Sequence, residues 1–297
     1  MGHKRQPRIL KDIPVELKSI IKIPITVTPD TSILDARDIL LRYRIGRLVV
    51  KINKKSVGII TEKDIARSIL IFSNKPIERI LVRDVMSKNL VTASIDATIY
   101  DCAKLMQKNG ISSVIIQDKE NLAGIITKTD LVSTFLVQST ASLDISKIMT
   151  KKVIAVSQDD SIFEVRSILF NNKISRVVVT KNKSPIGIIT YRDFIPAKTF
   201  DYHKEFSDPE EREEIASNPQ LNEFNANQSS YLLTFSAKDI MTKEPFMAYA
   251  DDDVYTAAIL MIRNGISGIP VIKNKRLVGI ITKSDIVNVL ATKGKLS

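Results

Sequence analysis

The sequence predicts an α+β fold in which one β-α-β-β-α unit is repeated four times. Three observations carry this prediction. The motif Gly-Ile-Ile-Thr-x-x-Asp occurs four times, starting at Gly58, Gly124, Gly187 and Gly279. Upstream of each copy, apolar residues recur at the i, i+3, i+4, i+7 spacing of one buried helical face. Between that helix and the motif stand two short β-rich runs separated by a polar turn. Repetition of this kind decides an architecture before any single element does.

The elements of the second repeat follow in order. Leu90 to Ala93 form a short strand, and Ile99, Cys102, Ala103 and Met106 then share one helical face. Asn109 and Gly110 supply the helix stop, because glycine accepts the left-handed turn that ends a helix. The strand Ser-Ser-Val-Ile-Ile, a turn at Asp-Lys-Glu-Asn, the strand Ala-Gly-Ile-Ile-Thr and a helix opening at Thr127 to Asp130 complete the unit. The first helix of repeat one is carried by Ile33, Ala36 and Leu40, that of repeat three by Ile162, Val165 and Leu169, and that of repeat four by Val254, Ala257, Ala258 and Met261.

The motif threonines at 61, 127, 190 and 282 are spaced by 66, 63 and 92 residues, so the last interval contains an extra segment. A unit of roughly sixty residues buries too little core to stand alone, and the repeats are expected to dock in pairs. The expected division is a basic N-terminal segment 1–14, repeats at 15–79, 80–140, 141–199 and 237–297, and an acidic insertion at 200–236. Residues 201–214 hold seven acids against two bases. Ser207 with Glu210 reads there as the cap of a short helix, and the insertion is expected to be a solvated linker rather than a ligand lid or an autoinhibitory segment that mimics phosphate charge.

Composition narrows the function. The only cysteine is Cys102 and the only histidines are His3 and His203, so no disulfide, thiol or histidine metal site, or Ser/His/Asp triad is expected. No phosphate-cradling Gly-x-x-x-x-Gly-Lys-Ser/Thr loop occurs either. The expectation is a protein with no catalytic residues, no metal and no resident cofactor. No signal peptide and no membrane-spanning run is read, and a cytoplasmic location is expected. The net charge of +11 favours phosphate-bearing partners, nucleotides or nucleic acid, although the chain lacks Trp for a stacking platform.

Each Thr-x-x-Asp is first of all a capping box: the threonine accepts from a first-turn N–H and the acid reaches back. Asp is shorter than the usual Glu, and its use in all four copies points to a second role. A helix N-terminus favours phosphate, and a hydroxyl beside a carboxylate suits the vicinal hydroxyls of ribose. The glycine that opens each motif permits close approach of another group to the backbone.

The β-α-β-β-α order ending in Gly-Ile-Ile-Thr-x-x-Asp resembles the CBS domain. Asp-Val-Met-Ser, Lys-Ile-Met-Thr and Asp-Ile-Met-Thr at 84, 147 and 239, and Gly-Ile-Ser-Gly-Ile-Pro-Val-Ile at 265, strengthen the likeness. The resemblance implies four repeats paired into two CBS-pair (Bateman) modules, which bind adenosyl ligands in the clefts of each pair. Carried over by position, the ribose pairs are Thr61 with Asp64, Thr127 with Asp130, Thr190 with Asp193, and Thr282 with Asp285. The adenine pockets fall on Ser87 and Thr92, Thr150 and Ala155, and Thr242 and Met247. Arg47 and Arg176, with Lys63 and Arg192, are the implied phosphate ligands, which concentrates charge on repeats one and three. Repeat one departs from the pattern, with Ile20 and Ile21 where the others have Met and Ser or Thr.

The reading is a ligand-sensing regulatory protein for AMP, ADP or ATP, with S-adenosylmethionine as an alternative ligand and an unidentified regulated protein as partner. The alternative is a nucleic-acid-binding protein using its basic surface. Four repeats in one chain can close a disc intramolecularly or through a homodimer.

Overall fold

The computed structural model describes residues 10, 15–71, 79–139, 142–195 and 235–292. Segment 1–14 apart from Leu10, both histidines and the acidic stretch 201–214 with its Ser207 cap lie outside the described residues.

Repeat one comprises β1 (Thr26–Val27), α1 (Ile33–Arg42), β2 (Arg47–Ile52), β3 (Lys55–Thr61) and α2 (Glu62–Ile71). Repeat two is led in by α3 (Val82–Val85) and comprises β4 (Thr92–Ser94), α4 (Ile99–Asn109), β5 (Ser113–Asp118), β6 (Asn121–Thr127) and α5 (Lys128–Gln138). Repeat three comprises β7 (Ala155–Ser157), α6 (Ile162–Asn171), β8 (Arg176–Lys181), β9 (Ser184–Thr190) and a 3-10 turn, Tyr191–Phe194. Repeat four is led in by α7 (Ala237–Ile240) and β10 (Thr242–Lys243), followed by β11 (Ala248–Tyr249), α8 (Val254–Arg263), β12 (Gly268–Lys273), β13 (Arg276–Thr282) and α9 (Lys283–Ala291).

Every expected helical face is buried: Ile33, Ala36 and Leu40 in α1, and Val254, Ala257, Ala258 and Met261 in α8, are at most 2% exposed. Each large aliphatic side chain so buried contributes about 1.5–3 kcal/mol of transfer free energy. Gly110 ends α4 at φ 62°, the conformation that required a glycine. Within each repeat a parallel strand pair joined by the helix is extended by an antiparallel hairpin, giving sheet orders β1-β2-β3, β4-β5-β6, β7-β8-β9 and β11-β12-β13. The hairpin turns at Asn182-Lys183 and Asn274-Lys275 have two successive positive φ values, as a tight turn matched to strand twist demands.

Two local expectations shift. The first strand of repeat two is Thr92–Ser94 rather than Leu90–Ala93. The helix expected after Thr190 is only the 3-10 turn: Ile195 is extended at φ −109°, ψ 97°, and Pro196 follows it in sequence, which disfavours helical backbone at the preceding residue.

The repeats pair as expected, one with two and three with four, and each lends its lead-in to its partner. Val82 N–H donates to the Thr31 carbonyl at 2.8 Å, Ile145 N–H to that of Asp252 at 2.9 Å, and Ala237 N–H to that of Asp160 at 2.8 Å. Leu17 is buried with the core of repeat two. The pairs then pack on each other. One continuous core joins repeat two to repeat four, with α4 and α5 against α8 and α9; another joins repeat one to repeat three. No helix among the described residues is long and apolar enough to cross a membrane.

Candidate functional site

Each motif is a capping box, and its aspartate reaches back without difficulty. Asp Oδ2 accepts from the threonine N–H and hydroxyl at 2.9 and 2.6 Å in Thr61–Asp64, 2.8 and 2.6 Å in Thr127–Asp130, 2.6 and 2.9 Å in Thr190–Asp193, and 2.7 and 2.6 Å in Thr282–Asp285. The cap therefore uses one carboxylate oxygen. In two copies the other oxygen, Oδ1, faces the partner repeat: Thr150 Oγ1 donates to Asp285 Oδ1 at 3.3 Å, and Lys22 Nζ sits 2.6 Å from Asp130 Oδ1. The cap and the contact with the partner repeat use the two oxygens of one carboxylate. Burial pushes the carboxyls of Asp64, Asp193 and Asp285 up, opposed by hydrogen bonds from their threonines.

The lead-ins explain the motif glycines. Ser87 bridges Ile59, Thr150 bridges Ile280, and Thr242 pairs with Ile188, so each hydroxyl stands beside its partner's motif. The methionine before it lies flat on the glycine: a Cβ added to Gly58 or Gly279 would sit 2.5 Å from Met86 Sδ or Met149 Sδ, and one on Gly187 would collide with Met241 Sδ. In repeat one the register lies one residue beyond that read from the sequence. Ile21 takes the methionine's place against Gly124, and Lys22 bridges Ile125 where the others have Ser or Thr.

These pairings define four clefts. The bridges set Ser87 beside the motif of Asp64, Thr242 beside that of Asp193, Thr150 beside that of Asp285 and Lys22 beside that of Asp130; Met247 is 44% exposed. Thr92 and Ala155 lie at the start of β4 and β7, paired with Ile115 and Val178.

The cations distribute differently from the sequence reading. Arg176 springs from β8 of repeat three but reaches repeat four: its guanidinium lies against Gly268, and the Asp285 charge acts on it. Its Nη1 is buried with no hydrogen-bond acceptor among the described residues, and burial pulls its pKa down to about 10. Arg47 likewise feels Asp130 of repeat two, along with Glu62. Arg192 is held by Glu62 across the two pairs, its Nε donating at 2.6 Å, and Lys63 lies over the Phe170 and Tyr191 rings at 5.9 and 5.6 Å.

Two further lysines were not singled out in the sequence. Lys128 Nζ donates to Ser284 Oγ at 2.7 Å, and Lys283 Nζ to Thr129 Oγ1 at 3.0 Å, so each crosses from its own motif to that of the opposite pair. Burial first, and then Arg176 with Arg47, push both ammonium groups down to about 8; Asp285 opposes this at Lys128 and Asp130 at Lys283. The signal was available: the residue after the motif threonine is Lys in repeats two and four, but Glu62 and Tyr191 in repeats one and three.

The fold and clefts define a class: a protein of paired repeats in which capping carboxylates and buried cations face each other across the pair seams. The chain belongs to the CBS domain family, whose profile matches residues 15–71, 82–136, 145–198 and 237–292. The chain is 25% identical over 288 residues to MJ1225 of Methanocaldococcus jannaschii, an uncharacterized protein, covering 90% of this chain and 95% of that one. The crystal structure of MJ1225, put forward there as an archaeal homolog of g-AMPK, superposes with a TM-score of 0.77 at 23% identity, over 93% of this chain and all of that one. Inosine-5'-monophosphate dehydrogenase of Staphylococcus aureus is 28% identical over 166 residues, 54% of this chain but only 33% of the enzyme.

Proposed function

We propose that the chain is a ligand-sensing regulatory protein that binds adenine nucleotides in the clefts of its CBS pairs and performs no catalysis of its own. The observation that carries this reading is the Asp285 cleft. There a ribose-type carboxylate and hydroxyl, Asp285 with Thr150 at 3.3 Å, meet a buried guanidinium nitrogen of Arg176 that lacks an acceptor, with Lys128 supplied from the opposite pair.

Carboxylate and hydroxyl suit ribose, and the unsatisfied donor with its neighbouring ammonium suits phosphate oxygens, because a buried donor without a partner costs about 1–3 kcal/mol that an anion recovers. The same cations oppose the sulfonium of S-adenosylmethionine, so AMP, ADP or ATP is favoured over it. Thr61, Thr127, Thr190 and Thr282 with their aspartates hold the ribose positions; Ser87, Thr92, Thr150, Ala155, Thr242 and Met247 line the adenine side; Arg47, Arg176, Lys128 and Lys283 hold the phosphates. Lys63 and Arg192 act between the pairs, and a regulated protein reads the resulting change in their packing.

Calorimetry of the chain with AMP, ADP, ATP and S-adenosylmethionine in parallel tests this. Asp285→Asn keeps a cap acceptor and removes the charge; it is expected to weaken nucleotide binding at least tenfold. Equal affinity in the parent and in the Asn variants of Asp64, Asp193 and Asp285 removes the ribose assignment. Affinity for duplex DNA or RNA that falls steeply with salt and survives these substitutions instead supports the nucleic-acid reading.

A further inference from the structure

The four clefts are built on one plan, but the lead-in of the Asp130 cleft departs from it in the residue that faces the aspartate. In three clefts the lead-in delivers Ser87, Thr150 or Thr242 beside the partner's motif; in the fourth the same backbone bridge delivers Lys22. The correspondence is fixed by the residue before it, since Ile21 packs on Gly124 as Met86, Met149 and Met241 pack on the other motif glycines. Where Thr150 offers Asp285 a neutral hydroxyl at 3.3 Å, Lys22 places an ammonium 2.6 Å from Asp130 Oδ1. Oδ2 of Asp130 is already engaged by Thr127. Both oxygens of this carboxylate are therefore committed within the chain.

We infer that Lys22 is a built-in plug: it occupies the ligand-facing oxygen of Asp130 and holds this cleft closed to nucleosides, which enter only by displacing it. This rests on the ribose role proposed for the motif aspartates. Exposure supports it, because the Asp130 side chain is 4% exposed and that of Lys22 66%, so the ammonium covers the buried carboxylate from the solvent side. The chemistry supports it as well. A ribose hydroxyl that displaced Lys22 would exchange an ion pair for a hydrogen bond from a neutral donor and leave the buried carboxylate without that counter-ion. Two more cations, Arg47 and Lys283, act on Asp130 from repeat one and from the opposite pair. The cleft thus keeps its attraction for phosphate while its sugar end is filled, which makes it the weakest of the four for a nucleotide and sets its occupancy by concentration.

The test is to replace the plug by its counterpart, Lys22→Thr, in the full chain, and to titrate with AMP and ATP by calorimetry while counting bound nucleotides by native mass spectrometry. The expected result is one additional site, or a last site at least tenfold tighter than in the parent, that disappears again in the double variant Lys22→Thr/Asp130→Asn. Lys22→Met, which keeps an unbranched stem and removes the charge, is expected to give the same gain and guards against a folding defect in the threonine variant. An unchanged count with less than tenfold tightening in both variants overturns the proposal, as does loss of a tightly bound nucleotide, rather than the weakest one, from the parent on Asp130→Asn alone. A parent that binds no nucleotide defeats the reading of the Asp285 cleft, whereas the comparison of Lys22→Thr with that parent still decides the plug.

Discussion

Nucleotide binding is expected to draw protons from solution at pH 8. Burial beside Arg176 and Arg47 pushes the Lys128 ammonium down to about 8, from an ordinary value of about 10.4. A phosphate group set between Lys128 and Arg176 stabilises the charged form and raises that value again. If the bound state returns to about 10, Lys128 passes from half to fully protonated at pH 8, an uptake of about 0.5 proton. The sign follows from the bound value being the higher one. The gain is fully present below the free value of about 8 and is lost as pH rises through the bound value, so affinity is level below pH 7 and falls above pH 8. The ceiling for one lysine is roughly a hundredfold, about 2.7 kcal/mol for two pKa units. Calorimetry at pH 8 in two buffers of different ionisation enthalpy measures the uptake, and Lys128→Met is expected to lower it by about half a proton. Zero uptake in the parent beyond the nucleotide's own titration, or an unchanged uptake in Lys128→Met, would refute the reasoning.

Gly124→Ala is expected to cost about 1–3 kcal/mol, because its Cβ meets the Lys22 carbonyl at 2.8 Å as well as the Ile21 side chain. Gly279→Ala, where the nearest atom is the flexible Met149 Sδ, is expected to cost less; urea midpoints rank the two, and the reverse order would contradict the packing described. Cys102 is fully buried and its thiol is pushed up to about 12 by burial, so a thiol reagent is expected to react only as denaturant unfolds the chain; labelling of the native protein within minutes would count against this. Arg192→Ala leaves the largely buried Glu62 without its guanidinium partner and is expected to cost about 1–3 kcal/mol. In a double-mutant cycle with Glu62→Gln the coupling between pairs should exceed about 0.5 kcal/mol.

Much of the fold is legible in the sequence because it is local. The helical faces, the Asn-Gly stop and the capping threonines depend on neighbours a few residues away, and four copies of the same pattern reinforce one another. The site is less legible because its partners are remote. Lys128 meets Ser284 across 156 residues and Lys283 meets Thr129 across 154. Arg176 pairs with Thr190 on its own hairpin, yet its guanidinium serves Asp285 because Gly268 leaves room for it to cross. No periodicity records such a crossing. The Lys22 plug was hidden by a one-residue register, which backbone pairing with Ile125 settles and side-chain identity does not. The sequence reading also undervalued aspartate, whose reach-back bonds of 2.6–2.9 Å show that a short carboxylate closes the box.

The cores that run from repeat two to repeat four and from repeat one to repeat three bear on how the chain is made. During synthesis the first pair leaves the ribosome while the surfaces of α4 and α5 that face α8 and α9 are still bare. At ordinary elongation rates the remaining 150 or so residues take roughly 8–30 s to follow. For that interval the nascent half displays an apolar face complementary to one that does not yet exist, a natural client surface for chaperones and for a neighbouring nascent copy of the same chain.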